Sequence, residues 1–377
     1  MADRTPELAF VMPMIQRPFW LPPYWAQILD QLAELEVSTE VIDATVRPLV
    51  NEEEPPPGRR AVLPSAPFIR TLLRSAAPVL LCVEYGVATL VTIAAARLRG
   101  KKTIIFQEHT GRQGLRLPAW ERRYRKLLGS LAQAVIANTD AAYDEVTEVL
   151  GVSRSKVFRA TILVPPERAL LSREPGNIPQ PARRPLFLFV GRLVRVKNID
   201  GLLEAAAALK ARGFEFELWI VGDGPQRQAL EGKAADLIGD GVVRFLGSRP
   251  NDAVGPVYEV ADIFVLPSTR EYRSVAVLEA LRFGKPVIDS SRDGNVGDLV
   301  RHEHTGLVFD PDVSGALEAA MERLIVEPDM RQALGERVSD LMEAHTPGGA
   351  AEALCDVLRA VQAGDIGRKR RHVMACG

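Results

Sequence analysis

Short apolar runs rich in β-branched residues alternate along this chain with helical patterns of roughly ten to fifteen residues. In the first half, the apolar runs predict strands at Leu8–Met12, Thr39–Asp43, Val79–Val83, Thr103–Phe106 and Ala134–Ile136. In the second half, they predict strands at Leu186–Val190, Glu217–Val221, Val242–Phe245, Ile263–Pro267 and Pro286–Asp289, and the helical patterns lie at Ile199–Lys210, Ala229–Ile238 and Val275–Phe283. Because strands that alternate with helices form parallel sheets, the pattern predicts an α/β protein in both halves.

Two proline-rich segments interrupt this alternation. Residues 51–66 combine an acidic run with several prolines, and we predict an exposed loop there. Residues 171–185 contain four prolines and few apolar side chains, which indicates a domain linker. A chain of 377 residues is also too long for one ordinary hydrophobic core. We therefore predict domains at 1–172 and 185–345, a linker at 173–184, and a C-terminal helix with a basic tail at 346–377. We leave open whether this helix packs back on the N-terminal domain.

The composition fits a folded protein of the cytoplasm. Hydrophobic residues make up 47% of the chain and charged residues 25%, and the net charge of −1 lacks the basic excess of nucleic-acid-binding proteins. The three cysteines have no metal-ligand spacing, and their odd number does not form a disulfide framework. The apolar stretch near the N-terminus is too short for a signal peptide or a membrane helix. We expect a cytoplasmic protein without a nucleic-acid partner.

Basic residues follow the first strand of the second half. Gly191 and Arg192 stand directly after Leu186–Val190, and Lys197 precedes the next helix. Ligands bind at the carboxyl ends of strands in open α/β sheets, and a guanidinium with a lysine at a helix start suits a diphosphate. The alternative interpretation is a glycine turn with two solvated cations. The motif Val221–Pro225, with two glycines at the next strand end, is typical of a strand-to-helix turn.

Two glutamates form the next candidate pair. Glu271 lies in the loop after Ile263–Pro267, and Glu279 lies on the following helix, for which Ser274 is the predicted N-cap. A carboxylate has two acceptor oxygens, which suit the paired hydroxyls of a sugar ring or a ribose. The alternative for Glu279 is an ordinary place on a helix surface.

Five motifs in one order resemble the donor domain of family 4 retaining glycosyltransferases, which have the GT-B fold. They are VGRLVRVKN at 190–198, IVGDGP at 220–225, DIFVLPSTRE at 262–271, LEALRFGKPVI at 278–288 and HTGLVFDPD at 304–312. This likeness spans about 185–325. In the first half it is looser and depends on the strand and helix order and on IFQEHTG at 105–111, similar to the family's strand that ends in an active-site histidine.

The resemblance implies two Rossmann-like, doubly wound domains that face a central cleft. It also implies metal-independent transfer, with retention, from a nucleoside-diphosphate sugar to a hydroxyl acceptor, with no cofactor. Arg192 and Lys197 would bind the diphosphate, Glu271 the transferred sugar and Glu279 the ribose. Gly191 and Ser274 would complete the donor site, His109 would reach the sugar from the first domain, and the nucleobase would lie near residues 247–249. Synthesis of a glycan, polysaccharide or glycolipid is the implied role.

The sequence departs from the family pattern in two places. The glycine pair that usually follows the first strand is absent from residues 13–23, which puts the acceptor geometry in question. Tyr272 and Arg273 stand where small residues usually contact the sugar. Two alternative functions therefore stay open. One is a sugar-nucleotide epimerase on the same fold, and the other is a catalytically silent subunit that binds a nucleotide sugar.

Other clusters favour structural interpretations. Asp310 and Asp312 are predicted to form a turn that caps the next helix, with a metal-binding acidic pair as the alternative. His302 and His304 lack a third clustered ligand for zinc. A lipid-linked acceptor and a peripheral contact with the inner face of the membrane are the alternatives to simple solvation for two basic segments. These are the tail at 368–371 and the helix that carries Trp120, Arg122, Arg123, Tyr124, Arg125 and Lys126.

Overall fold

The structure is a computed structural model with two compact units. It describes residues 5–12, 23–44, 64–107, 117–162, 178–182, 185–250, 253–271, 273–343 and 345–364. One unit comprises Met1–Val164 with Thr346–Gly377, and the other comprises Pro165–His345. His109, Tyr272, the segment 13–22 and the basic tail at 368–371 lie outside the described residues. The domain limits of the sequence analysis stay a prediction.

The first unit is built on a parallel sheet of six strands in the order β2-β1-β3-β4-β5-β6. The strands are β1 Leu8–Met12, β2 Thr39–Asp43, β3 Val79–Val83, β4 Lys102–Gln107, β5 Ala134–Ala137 and β6 Val157–Arg159. The central strands are continuously apolar and almost fully buried, as expected for a parallel sheet with both faces covered. Five of the strands were predicted from the sequence. The edge strand β6 was not predicted, because three residues are too few to show a pattern.

Helices connect these strands, and the last helix of the chain closes the unit. They are α1 Pro23–Glu34, α2 Ala66–Arg74, α3 Val87–Leu98, α4 Ala119–Leu131, α5 Asp140–Asp144 and, after the second unit, α13 Pro347–Ala363. Thr346 caps α13 by accepting a hydrogen bond from the Gly349 N–H, and the helix ends at Gly364 in a left-handed conformation. Leu354 and Val357 of α13 share one hydrophobic cluster with Trp25 of α1. Residues from both ends of the chain therefore complete this core.

The second unit contains another parallel sheet of six strands, in the order β12-β11-β10-β7-β8-β9. The strands are β7 Leu186–Val190, β8 Glu217–Val221, β9 Val243–Gly247, β10 Ile263–Leu266, β11 Val287–Ser290 and β12 Gly306–Phe309. Numbered from β7, this is the order 3-2-1-4-5-6 of the Rossmann fold. From β7 the sheet is built outward through β8 and β9 on one side, and the chain then returns to add β10, β11 and β12 on the other side. The strand order therefore reverses between β7 and β10. Their carboxyl ends therefore form the crevice where ligands bind in such sheets.

Helices alternate with the strands of the second unit along the chain. They are α6 Ile199–Ala211, α7 Arg227–Lys233, α8 Ala235–Gly239, α9 Gly255–Val260, α10 Val275–Arg282, α11 Ala316–Val326 and α12 Pro328–Glu343. The single helix predicted at Ala229–Ile238 is wrong, since the backbone breaks at Ala234 into α7 and α8. The predicted class of two Rossmann-like α/β domains is confirmed. Among the described residues, no helix is both long and apolar enough to cross a bilayer.

Candidate active site

Glycines let the loops after β7 and β8 touch through their backbones. A Cβ atom on Gly222 would lie 1.9 Å from the Gly191 carbonyl oxygen, and one on Gly224 would lie 2.5 Å from that of Leu193. The Leu193 N–H in turn donates to the Asp223 carbonyl at 3.0 Å. No side chain fits between loops this close. The two glycines therefore fix the loop that carries Arg192.

Arg192 and Lys197 lie at the carboxyl end of β7, on either side of a short turn. Arg192 is exposed, and its guanidinium makes no ion pair with any residue that the structure describes. Lys197 ends a 3-10 turn at Arg195–Lys197. Asn198 follows in the left-handed conformation as the N-cap residue of α6. Asparagine tolerates this backbone geometry better than most residues. The helix start predicted after Lys197 is confirmed.

Lys197 and Glu271 form an ion pair across the crevice between β7 and β10. The Lys197 Nζ contacts Glu271 Oε1, and the two side chains are only 18% and 16% exposed. The backbone of the Glu271 loop is tied to the same β7 loop, because the Thr269 N–H donates to the Val196 carbonyl at 2.9 Å. The structure thus brings together two of the residues that the sequence analysis assigned to the diphosphate and the sugar.

Ser274 is the N-cap of α10, as predicted, but its side chain makes no capping hydrogen bond. The residue is 5% exposed, and its backbone N–H donates to Asp293 Oδ1 at 3.1 Å. The N–H groups of the first helical turn carry partial positive charge and are left without a side-chain cap. They lie after β10, next to the strand whose end carries Arg192 and Lys197. The start of α10 and the cations Arg192 and Lys197 together form a region that favours an anion.

Glu279 lies one turn further along α10, where its carboxylate is largely buried. Glu279 Oε2 accepts a hydrogen bond from the Tyr258 hydroxyl at 2.7 Å. Burial raises the pKa of Glu279, and the hydrogen bond from Tyr258 partly offsets that rise. Tyr258 is itself fully buried and stacks on Phe283, with 5.5 Å between ring centroids. Glu279 therefore has a fixed orientation, which an ordinary surface glutamate lacks.

Two residues of this region were missed in the sequence analysis. Tyr258 precedes Glu279 by 21 residues and Asp293 follows Ser274 by 19 residues, so neither pairing has a local signature. Asp289 and Asp293 are both fully buried, and burial raises the pKa of each. The one available signal was the presence of two aspartates in and just after an apolar strand.

Arg273 contacts Asp298 in a buried ion pair. The Arg273 Nη1 lies 3.2 Å from Asp298 Oδ2, and the arginine side chain is 3% exposed. In the sequence analysis, Arg273 is a departure from the small residues that usually contact the sugar. The ion pair shows that its charge is compensated within the protein by the loop after β11.

Asp310 and Asp312 stand in a turn after β12. The Asp310 Oδ1 accepts the Asp312 N–H at 3.0 Å, and Asp312 forms an ion pair with Arg292. Within the described ranges, no three acidic, histidine or cysteine side chains are grouped as metal ligands. His302 accepts the Val308 N–H through Nδ1 at 2.9 Å, which is a structural contact of the edge strand.

Comparisons with known proteins place this architecture in a family. A model of the group 1 glycosyl transferases matches residues 173–340, and a model of glycosyltransferase family 4 matches residues 23–191. The two matches overlap at residues 173–191 and together cover residues 23–340. The chain belongs to the group 1 glycosyltransferases. The resemblance stated from its motifs is confirmed, and the chain is an enzyme of this class.

Curated glycosyltransferases are similar in sequence to this glycosyltransferase. The alpha-D-kanosaminyltransferase of Streptomyces kanamyceticus is 28% identical over 297 residues, which cover 75% of this chain and 73% of the relative. The D-inositol 3-phosphate glycosyltransferase of Corynebacterium urealyticum is 29% identical over 247 residues, which cover 61% of this chain. That match spans 57% of the relative's own length.

Solved structures share the fold of this glycosyltransferase. A crystal structure of Anabaena HepE in complex with UDP is 15% identical and has a TM-score of 0.69, covering 94% of this chain and 100% of that one. Another structure of the same protein contains UDP-glucose and has a TM-score of 0.63, with the same identity, over 94% and 99% of the two chains. At this identity the likeness extends to the fold alone.

Proposed function

We propose that this glycosyltransferase moves a glycosyl group from a nucleoside-diphosphate sugar to a hydroxyl acceptor, with retention at the anomeric carbon and without a metal ion. The observation that carries the proposal is the ion pair of Lys197 and Glu271 across the β7 and β10 strand ends. It joins a cation suited to a phosphate with a carboxylate suited to sugar hydroxyls, at the point where this sheet order binds ligands. Solved structures of a protein with a similar fold contain UDP and UDP-glucose, which supports the same class of sugar donor here.

The cations account for the leaving group. Arg192 offers a planar fork for phosphate oxygens, and Lys197 adds a point charge on the same strand end. The uncapped start of α10 adds backbone N–H groups from the neighbouring strand. Charge that develops on the departing diphosphate would meet donors that are already oriented, and such preorganised electrostatics is usually the largest catalytic contribution.

Glu271 and Glu279 would orient the sugar donor. Glu271 would accept hydrogen bonds from the transferred sugar, and Glu279 would hold the ribose with the oxygen that does not face Tyr258. No protein nucleophile takes part in the proposed step. The bond between the anomeric carbon and the diphosphate oxygen breaks, and the acceptor oxygen bonds to that carbon on the same face. The hydroxyl proton passes to the leaving diphosphate, which keeps the step balanced.

The first experiment measures nucleotide release from a panel of nucleoside-diphosphate sugars, with and without acceptor extracts, after a thermal-shift screen of nucleotides. We expect acceptor-dependent release, an unchanged anomeric configuration by NMR, and full turnover in EDTA because side-chain cations already meet the diphosphate. Donor isomerisation without acceptor would instead indicate an epimerase. Nucleotide binding without turnover would indicate a silent subunit, and loss in EDTA with recovery in manganese would contradict the metal-independent step.

His109 provides a test of the first unit's part in catalysis. If His109 contacts the transferred sugar, as the family resemblance implies, His109→Ala should lower kcat at least about tenfold, the loss of one or two polar contacts. Nucleotide affinity, which belongs to the other unit, should change little. His302→Ala, a histidine of the β12 edge, is the matched control. Equal losses of nucleotide binding and turnover would contradict the assignment of His109 to the sugar site.

We also propose that the first unit meets a lipid-linked acceptor at an anionic membrane surface through α4. Trp120 and Leu127 are 70% and 51% exposed on this helix. Arg122, Arg123 and Lys126 are exposed beside them. Tyr124, in contrast, donates to the Gly86 carbonyl on the packed side. Exposed apolar anchors among cations are typical of helices that lie in a membrane interface.

The membrane contact is tested by co-sedimentation with vesicles. Arg122→Ala/Arg123→Ala should weaken binding to phosphatidylglycerol vesicles by about 30-fold at low salt, because each basic residue contributes about 1 kcal/mol near such a surface. Binding to neutral phosphatidylcholine should be weak for both proteins. Arg70→Ala/Arg74→Ala, two exposed arginines of α2 in the same unit, should leave binding unchanged. If both double variants lost vesicle binding equally, net charge alone would explain the binding. That result would contradict the proposed role of α4.

A further inference from the structure

The segment 267–274, which we call the sugar loop, is held from both sides by its neighbours in the sheet. On the β7 side, the Asn198 Nδ2 donates to the Pro267 carbonyl at 3.2 Å, and Lys197 pairs with Glu271. On the β11 side, the Glu271 N–H donates to the Arg292 carbonyl at 3.0 Å. The carboxyl end of the loop, at Ser274, is held by side chains of the β11 loop, and the Ser274 carbonyl also accepts the Leu278 N–H within α10 at 3.3 Å.

Asp293 and Asn295 hold Ser274 through both of its backbone polar groups. Asp293 Oδ1 accepts the Ser274 N–H at 3.1 Å, and Asn295 Nδ2 donates to the Ser274 carbonyl at 3.0 Å. The same Asn295 Nδ2 also donates to Asp293 Oδ2 at 2.9 Å, so the two side chains orient each other. Asp293 and Asn295 are both 0% exposed. Buried polar side chains therefore hold both backbone groups of Ser274, the N-cap residue of α10.

We propose that Asp293 is a positioning residue for the glycosyl-transfer reaction, because it fixes the end of the sugar loop and the start of α10 relative to the bound donor. The inference rests on the function proposed above for Glu271 and the α10 N-terminus. Asp293 touches neither substrate in this proposal and acts through Ser274.

The chemistry of the position explains why a carboxylate is used there. The Ser274 hydroxyl does not cap α10, so the loop end lacks the local hydrogen bond that usually fixes a helix start. Asp293 accepts from the Ser274 N–H, the Asn295 N–H and the Asn295 side chain, and two carboxylate oxygens have room for all three. Burying this acid costs free energy, as the raised pKa of Asp293 indicates. The hydrogen bonds from Ser274 and Asn295 lower the pKa of Asp293 again, so they offset part of this cost.

The contacts predict which kinetic constant changes. Ser274 and Glu271 border the phosphate and sugar end of the proposed site, whereas Glu279 is held independently by Tyr258. Loss of Asp293 should therefore displace the reacting end of the donor and leave the nucleoside end in place. Misplacement of reacting groups by about 1 Å can cost about 100-fold in rate.

The experiment compares Asp293→Ala, Asp293→Asn and Asn295→Ala with Asp262→Asn as the matched control. Asp262 Oδ2 accepts the Leu186 N–H at 2.7 Å, a similar carboxylate-to-backbone contact at the opposite end of the same sheet. We expect Asp293→Ala to lower kcat about 10- to 100-fold, with the donor KM and the UDP dissociation constant within about threefold of wild type. Asp293→Asn keeps an acceptor oxygen for the Ser274 N–H but turns an amide donor toward the Asn295 amide, so it should recover only part of kcat. Asn295→Ala should lower kcat in the same direction, and Asp262→Asn should not.

Hydrogen–deuterium exchange of the 268–278 peptide gives a readout that does not depend on turnover. In the UDP-bound protein, Asp293→Ala should speed exchange there and Asp262→Asn should not. Wild-type kcat in Asp293→Ala, unchanged exchange in that peptide, or activity losses that merely follow the folded fraction in all variants would overturn the proposal. Absence of turnover in wild type would contradict the proposed function instead, and the exchange data would still decide whether Asp293 holds the segment. If Asp293→Ala does not fold, the kcat and the exchange rates of Asn295→Ala and Asp293→Asn test the proposal in its place.

Discussion

Lys197→Ala is expected to lower kcat/KM for the sugar donor by about 10- to 150-fold, the range for loss of a hydrogen bond that involves a charged group. The substitution removes a cation from the proposed diphosphate site and also leaves Glu271 without its ion-pair partner, so both the phosphate and the sugar contacts should weaken. The unit should remain folded, because Lys197 lies in a 3-10 turn and is not part of the hydrophobic core of the second unit. Steady-state kinetics and a thermal unfolding curve measure the two effects separately.

The control for this substitution is Lys210→Ala. Lys210 also forms an ion pair, with Asp240, but lies on α6 away from the strand ends. It should keep wild-type kinetics. Arg192→Ala should behave like Lys197→Ala, since its guanidinium is proposed to bind the same diphosphate. Wild-type kcat/KM in both Lys197→Ala and Arg192→Ala would contradict the phosphate assignment.

Glu279→Gln is expected to abolish the preference of the protein for ribose over dideoxyribose nucleotides. In wild type, a buried carboxylate held by Tyr258 would accept from the ribose hydroxyls, so UDP should bind about 10- to 150-fold more tightly than its 2′,3′-dideoxy analogue. The glutamine variant should bind the two nucleotides with nearly equal affinity by calorimetry. Glu204→Gln, an exposed carboxylate of α6, should retain the preference.

The same carboxylate predicts the sign of the pH dependence. Burial raises the pKa of Glu279, so the group takes up a proton as the pH falls, at a higher pH than an ordinary glutamate would. The ribose preference should therefore decline on the acid side. The Tyr258 hydrogen bond lowers that pKa, so Tyr258→Phe should shift the decline to higher pH. Comparing UDP with its dideoxy analogue cancels the titration of the phosphates. A decline that shifts to lower pH would contradict this account of the pair.

The fold was predictable because it depends on patterns that are local in sequence. Strands such as β7 and β8 are five-residue apolar runs between turn residues, and their predicted bounds match the structure. The order of the motifs also identified the family. Boundaries failed where local signals are weak, as in the three-residue β6 and at Ala234, where one predicted helix is two.

The details of the candidate site were less predictable because they depend on distant partners. Lys197 and Glu271 were both selected from the sequence, but their ion pair joins residues 74 positions apart. Whether Glu279 lies on a plain helix surface or is held by Tyr258 depends on how α9 packs against α10. Asp293 looked like one acidic residue among 48 until the β11 loop was placed beside Ser274. Hydrogen-bond partners across a sheet are set by tertiary packing, which has no signature in a local window.

The packing of α13 on α1 has a consequence for synthesis of the protein on the ribosome. Trp25, made early, shares its hydrophobic cluster with Leu354 and Val357, which are made only after the whole second unit has been translated. A nascent chain stalled before residue 346 would therefore expose an apolar face of α1 to solvent. Such a chain is a natural substrate for chaperones, and residues 1–164 produced alone should aggregate more readily than the same residues joined to the C-terminal helix.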